Sequence, residues 1–260
     1  MIDNINLDEV LWCNKCNHNF KIIIKKKDEN IISNGFLKCD NCNDQHLISD
    51  DIIFIDKNLN DKSTVYQSKI YSYWWNESHN DLVYNKSSTE KIFFSTLSLN
   101  LNDFNDKIIL DAGCGNGRFS DLISEANPKL LVITDVSDGI FEAKNKIKNK
   151  ISNLIAIKGD INQIPFKEEV FDIIYSWGVI HHTPRPRFTF DNISKLCKLN
   201  GKLGIYVYKQ NPDYSHNNMY LRLLFILIEN PWYATQLLTL IPTAAIFLSL
   251  VHTPIFSLSA

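Results

Sequence analysis

One nine-residue stretch constrains this chain more than any other: Leu110-Asp111-Ala112-Gly113-Cys114-Gly115-Asn116-Gly117-Arg118. It joins a short apolar strand at residues 107–110 to a helix at 117–126. Glycine has no Cβ, so the backbone turns sharply there and a ligand can approach it closely. In open parallel sheets, ligands sit beyond the carboxyl ends of the strands, where this loop falls. The spacing is G-x-G-x-G after an acidic residue, with Arg118 where a dinucleotide fingerprint has its third glycine. A pyrophosphate seeks bare backbone N–H groups and a positive helix end, and Asp111 puts negative charge beside that place. The loop therefore suits a cationic ligand carrying an amino group.

Downstream, strands and helices alternate. Strand-like runs at 130–134, 154–157, 170–175 and 202–208 enclose helical stretches at 137–150 and 187–199. Ser137 serves as an N-cap, and Asn200-Gly201 reads as a C-terminal helix stop. Such alternation predicts right-handed crossovers and a parallel sheet. Upstream, Ile92, Phe93, Leu97 and Leu101 carry helical spacing across residues 87–101. Residues 57–85 are polar and aromatic, with Tyr71, Tyr73, Trp74 and Trp75 together. Short apolar stretches at 20–24, 35–38 and 52–55 suggest a small β module at the N-terminus.

That module carries two C-x-x-C pairs, Cys13/Cys16 and Cys39/Cys42, with 22 residues between them. Four thiolates on two turns give a closed tetrahedral zinc site, and the intervening length suits a hairpin. A module this small builds little core alone, so a metal would supply folding free energy. His18 and His46 lie nearby and are expected at the surface. The lysines Lys21 and Lys25 to Lys27 read as a solvated hairpin face, since Asp28 and Glu29 follow directly.

Residues 108–208 resemble the class I S-adenosylmethionine-dependent methyltransferases, in their broad type-11 subgroup. The resemblance rests on the glycine loop, on Val132-Ile133-Thr134-Asp135, on Lys158-Gly159-Asp160-Ile161 and on the run from Phe171 through Trp177 to His182. It implies S-adenosylmethionine as cofactor, held by Asp111, Gly113, Cys114, Gly115, Asp135, Val136, Asp160, Ile161 and Trp177. Asp111, Gly113 and Gly115 would line the methionine part, Asp135 the ribose hydroxyls and Asp160 the adenine amino group. His182, then His181, would be the base that removes a proton from the acceptor. Trp74 and Trp75 would cap the pocket or pack in the core. The N-terminal part is similar to the small zinc-ribbon proteins that activate methyltransferases in trans, here fused in cis.

The expected fold is α/β: a Rossmann-like parallel sheet flanked by helices, preceded by a β zinc ribbon and followed by an apolar helical tail. The expected divisions are a ribbon at 1–56, an aromatic linker and helix at 57–105, a methyltransferase core at 106–209 and an apolar segment at 210–260. The uncharged run 234–251 approaches the length of a membrane span, but Pro242, Gln236 and several threonines favour a buried or surface-lying helix. Through that tail, peripheral membrane contact is expected. The chain is expected to end inside an insertion that precedes the family's last strands. The first ten residues are acidic and lack an apolar signal core, which points to the cytoplasm. A net charge of −2 provides no field for nucleic acid. The expected acceptor is thus a small or lipid-linked metabolite. An RNA methyltransferase and a non-catalytic scaffold are the alternatives.

Overall fold

A computed structural model describes residues 2, 5–29, 31–55, 62–77 and 86–207, without the side chains of 74–77 and 86. The strands are β1 (Phe20–Asp28), β2 (Ile31–Cys39), β3 (Gln45–Ser49), β4 (Ile52–Ile55), β5 (Ile108–Ala112), β6 (Leu130–Asp135), β7 (Leu154–Gly159), β8 (Phe171–Trp177) and β9 (Cys197–Tyr206). The helices are α1 (Lys62–Glu77), α2 (Lys86–Leu97), α3 (Arg118–Ile123), α4 (Gly139–Ile147) and α5 (Pro186–Leu196). All nine described strands form one sheet, ordered β1-β2-β3-β4-β7-β6-β5-β8-β9. β1 to β4 pair antiparallel. From β4 onward every pairing is parallel. The chain runs outward from β5 through β6 to β7, then returns to β8 on the other side of β5. That reversal is a topological switch point, where the loops after β5 and β8 diverge and leave a crevice.

The central strands are apolar almost throughout because both faces are covered. Side chains alternate between two layers, as the two-residue period of a strand requires. Leu110, Val132, Ile155 and Ile174 enter one layer with Leu7, Val10 and Leu11. Ile109, Leu131, Ile133 and Ile173 enter the other with Phe93, Phe119, Ile140 and Ile147 from α2, α3 and α4.

The N-terminal strands do not stand apart from this core. β4 adds to β7 in parallel, with Ile52 opposite Ala156 and Ile55 opposite Gly159. Ile32, Leu37, Ile48 and Ile53 share a layer with Leu110 and Val132. The buried Lys144 of α4 donates to the Asp50 carbonyl at the β3–β4 turn. The lysine-rich edge is solvated, as expected, with Lys21 paired to Asp40 and Lys26 to Asp28, each at 3.0 Å.

Several local expectations are corrected. Residues 45–49 form a strand, because Asp50 and Asp51 adopt φ of 51° and 55° and close a two-residue hairpin turn onto β4. Residues 62–77 of the supposed linker are a helix. Asn200-Gly201 does not stop a helix: α5 ends at Leu196 and β9 begins at once. The pair lies in an irregularity of β9, where Phe171 faces Cys197 but Ile173 faces Lys202. Asn200 has φ of 65°, and Lys198 reaches Asp172 at 2.9 Å across the irregular segment. Among the described residues no helix is long and apolar enough to cross a membrane. The apolar stretch at 234–251 lies outside the described residues.

Where β4 joins β7, a Cβ on Gly159 would stand 2.8 Å from the Ile55 carbonyl oxygen and 3.0 Å from its Cβ. Gly159→Ala should therefore lower stability by about 1–3 kcal/mol, read as a reduced urea midpoint with the denaturant slope unchanged.

Candidate active site and cysteine cluster

Asp111 is the next-to-last residue of β5, just before the glycine loop, and is 2% exposed. Its Oδ2 accepts from the Tyr175 hydroxyl of β8 at 2.9 Å and from Ser120 of α3. Burial pushes this carboxyl up to about 7, the two hydroxyls pull it back, and the nearby Asp135 charge adds to the rise. Asp111 thus binds the start of the loop to α3 and β8. Of its partners, Tyr175 lies within the run from Phe171 to His182, whereas Ser120 belongs to no motif.

The loop itself is drawn onto the end of β6. The N–H groups of Gly113 and Cys114 both donate to the Thr134 carbonyl, at 2.9 and 2.8 Å. The Gly115 N–H donates to Asp135 Oδ2 at 2.7 Å. Asp135 Oδ1 in turn accepts from the Ser137 N–H and hydroxyl, at 2.8 and 2.6 Å. Three consecutive donors are therefore committed to protein oxygens, which removes them from any phosphate. Gly113, with φ of 92°, has no room for a Cβ, which would meet Val179 side-chain atoms at 2.4 to 2.9 Å. Gly117, with φ of 81°, has α4 in that space, with Ala143 Cα at 2.7 Å. At these two positions glycine is required by packing within the protein.

The remaining proposed cofactor residues ring the same strand ends. The Val136 carbonyl accepts from Ser68 of α1 at 2.8 Å. Asp160 follows β7, and its Oδ1 accepts from the Asn162 N–H and amide at 2.9 and 3.1 Å, closing a tight turn around Ile161. Trp177 stacks on Tyr206, with centroids 4.2 Å apart, and packs beside Phe119 and Phe93. It belongs to the aromatic layer shared with α2 and α3.

His181 and His182 close a 3-10 turn after β8, their rings 3.9 Å apart. Burial, reinforced by His181, lowers His182 to about 4. The ring is therefore neutral through the physiological range, with one ring nitrogen protonated and the other not. Tyr71 meets it edge-on at 5.7 Å, and Gln67 donates to the His182 carbonyl. Ser72 accepts from the Asp138 N–H at 2.9 Å. Gln67, Ser68, Tyr71 and Ser72 fall on one face of α1, which spans from the loop after β6 to the turn after β8. The signal in the sequence is the spacing of these four side chains, within a segment that composition alone makes look like a linker. The side chains of Trp74 and Trp75 lie outside those described.

The two cysteine pairs meet beside the start of β1 and the end of β2. The sulfurs of Cys13, Cys16, Cys39 and Cys42 all lie within 4.8 Å of one another. The two pairs fold alike. Cys13 N–H donates to His18 and Cys39 N–H to Asp44, each to the carbonyl five residues on, at 2.8 and 2.7 Å. Asn17 and Asn43 follow the second cysteine of each pair with φ of 55° and 59°, a left-handed turn that asparagine tolerates. The Asn41 N–H points at Cys39 Sγ at 3.4 Å. Burial opposes ionisation of Cys39, but the Cys42 and Asn41 N–H groups outweigh it and lower the thiol to about 6. Four sulfurs around a zinc at ~2.3 Å would stand ~3.8 Å apart, so the cluster fits that ion. His46, expected at the surface, is buried beside Phe20, with Nε2 3.5 Å from Asp44 Oδ2.

Residues 110–205 match the model of the family described as a methyltransferase domain. The match takes in the glycine loop and strands β6 to β8. Over 101 residues the chain is 31% identical to protein arginine N-methyltransferase 2 of Dictyostelium discoideum, covering 38% of this chain and 20% of that protein. Over 178 residues it is 27% identical to sterol 24-C-methyltransferase of Candida albicans, covering 63% of this chain and 47% of that protein. Among solved structures, it is similar to Haemonchus contortus phosphoethanolamine N-methyltransferase 1 in complex with phosphoethanolamine and S-adenosylhomocysteine. The TM-score is 0.49 at 16% identity, covering 59% of this chain and 34% of that one. The chain spans less than half the length of the curated relatives named here.

The raised Asp111 carboxyl sets a sign for pH dependence. Between about 4 and 7 the folded state holds a proton that the unfolded chain has released, so stability falls as pH rises through that window. Asp111→Asn removes the charge and keeps the hydrogen-bonding shape. Without added cofactor it should match the native chain at pH 4 and exceed it at pH 8 by roughly 2–4 kcal/mol, measured by urea unfolding.

Proposed function

We propose that this chain binds S-adenosylmethionine beyond the carboxyl ends of β5, β6 and β7 and transfers its methyl group to a small or lipid-linked acceptor lying under α1. The observation that carries this reading is the commitment of the Gly113, Cys114 and Gly115 N–H groups to Thr134 and Asp135. The crevice at the switch point then presents the carboxylates of Asp135 and Asp160, with these three loop donors turned away from a phosphate. That polarity suits a cationic cofactor with a ribose and an exocyclic amine. The cofactor, when bound, supplies an electrophilic methyl group on a sulfonium. The protein's task is alignment of the acceptor and exclusion of water.

In this reading Asp135 receives the ribose hydroxyls, and its bonds to Ser137 and Gly115 keep the carboxylate aimed. Asp160 and Ile161 receive the adenine from a turn braced by Asn162. His182 is held by Tyr71 and Gln67, and its neutral ring accepts the acceptor's proton. The relatives described above are named for acceptors as different as a sterol and protein arginine, so in this reading the acceptor is selected by α1 and the turn after β8. The sterol relatives, one of which matches 63% of the chain, favour a small or lipid-linked acceptor.

Calorimetric titration tests the cofactor assignment. S-adenosylmethionine should bind in the micromolar range and NAD should not, with Asp135→Ala weakening binding at least about tenfold. Unchanged binding by a folded Asp135→Ala variant would sink the assignment.

We also propose that Cys13, Cys16, Cys39 and Cys42 hold one structural zinc ion, supported by the closeness of the four sulfurs. Native mass spectrometry should find one zinc per chain. Cys39→Ser should lose it and lower the unfolding temperature, while Cys197→Ser should retain it.

A further inference from the structure

Beneath the pocket, five side chains form one directional hydrogen-bond chain. The Asn192 amide donates to Asn162 Oδ1 at 3.2 Å. The Asn162 amide nitrogen donates to Asp160 Oδ1 and to Thr189 Oγ1, each at 3.1 Å. The Thr189 hydroxyl donates to Thr183 Oγ1 at 3.0 Å, and the Thr183 hydroxyl donates to the Ile180 carbonyl at 2.7 Å. The direction is forced. Each hydroxyl has a single proton, and the Ile180 carbonyl can only accept. Thr183 therefore gives its proton to Ile180, Thr189 gives its own to Thr183, and Thr189 must accept from Asn162. Thr189 is 0% exposed, so removing its oxygen would take one partner each from the half-buried Asn162 amide and Thr183 hydroxyl with little water to replace it.

The chain's two ends matter. One is the turn after β7 that carries Asp160, and the other is the turn after β8 that carries His181 and His182. β7 and β8 are not neighbours in the sheet, since β6 and β5 lie between them. β7 and β8 do not pair directly, so a side-chain link between these turns has to come from outside the sheet. Thr189, on the second turn of α5, makes that link.

We infer that Asn162 and Thr189 are positioning residues that fix Asp160 relative to the histidine turn, coupling the adenine side of the pocket to its acceptor side. This rests on the cofactor reading above. Neither residue touches the reacting atoms in it. Each acts through what it holds.

The test uses the full chain with S-adenosylhomocysteine as the calorimetric probe and histidine-labelled protein for ring resonances. Thr189→Val should weaken binding about three- to tenfold and move the His181 and His182 ring signals without added ligand. Thr189→Ser restores the hydroxyl and should return both readouts to native values. Asn162→Ala should act like Thr189→Val, and the double variant should lose little more than either alone. A folded Thr189→Val with native affinity and unmoved histidine signals overturns the inference. So does a Thr189→Ser variant that behaves like Thr189→Val. If Thr189→Val does not fold, Asn162→Ala gives the same two readouts and decides the question in the same way. Histidine signals that move in a protein binding no S-adenosylhomocysteine would uphold the link and remove the cofactor reading.

Discussion

The end of β6 organises the half of this molecule that carries the glycine loop. A single carbonyl, that of Thr134, gathers two successive loop N–H groups, and the next residue's carboxylate gathers the third. These three bonds draw the glycine loop onto β6, and the packing of Gly113 on Val179 and of Gly117 on Ala143 holds it from the other sides. They also decide its chemistry. A loop with free N–H groups is an anion receptor, whereas one whose donors face its own sheet leaves carboxylates to set the potential. Asp111 stands just before the loop as a second tie, with its charge compromised by burial and its position held by Ser120 and Tyr175. Loop, strand end and α3 thus form one rigid corner, and α4 packs against it through Ala143 at Gly117.

In the proposed reading, α1 completes the pocket from outside the sheet. Its contacts run to the Val136 carbonyl, the Asp138 N–H and the His182 carbonyl, all groups of loops rather than of strands. A helix held through loop backbone covers a site without belonging to the scaffold's core. It is the element best placed to differ among proteins that share the cofactor half and differ in acceptor. The cysteine cluster plays a different part. It closes two similar turns at one end of the hairpins, and the hairpins enter the sheet through β4.

What is legible in the sequence is what local chemistry determines. β5 to β8 show as apolar runs because they are buried on both faces, and each falls within about two residues of its expected place. The cysteine pairs are legible because ligand spacing is local. The features that sequence reasoning misses depend on partners far along the chain. Gln45–Ser49 has ordinary strand content and is recruited by the hairpin turn at Asp50 and Asp51. α1 has a weak apolar face, and its side chains are used on loop backbone instead. Asn200-Gly201 carries a strong local signal for a helix end, overridden by the pairing of β9 with β8. His46 is polar by type, and its burial beside Asp44 follows from the packing of the two cysteine turns.

The union of β4 with β7 has a consequence for how the chain is made. Ile52 pairs with Ala156, 104 positions later in the sequence (156 − 52). During synthesis the hairpins emerge first, yet their last strand has no neighbour on that side until β7 has left the ribosome. Contacts this distant are slow to form, and an unpaired strand edge recruits wrong partners while it waits. In the zinc reading, early metal capture by the two cysteine turns would hold the first three strands in register during that interval. The ion's largest effect would then fall on the yield of correctly assembled nascent chains rather than on the stability of the finished protein.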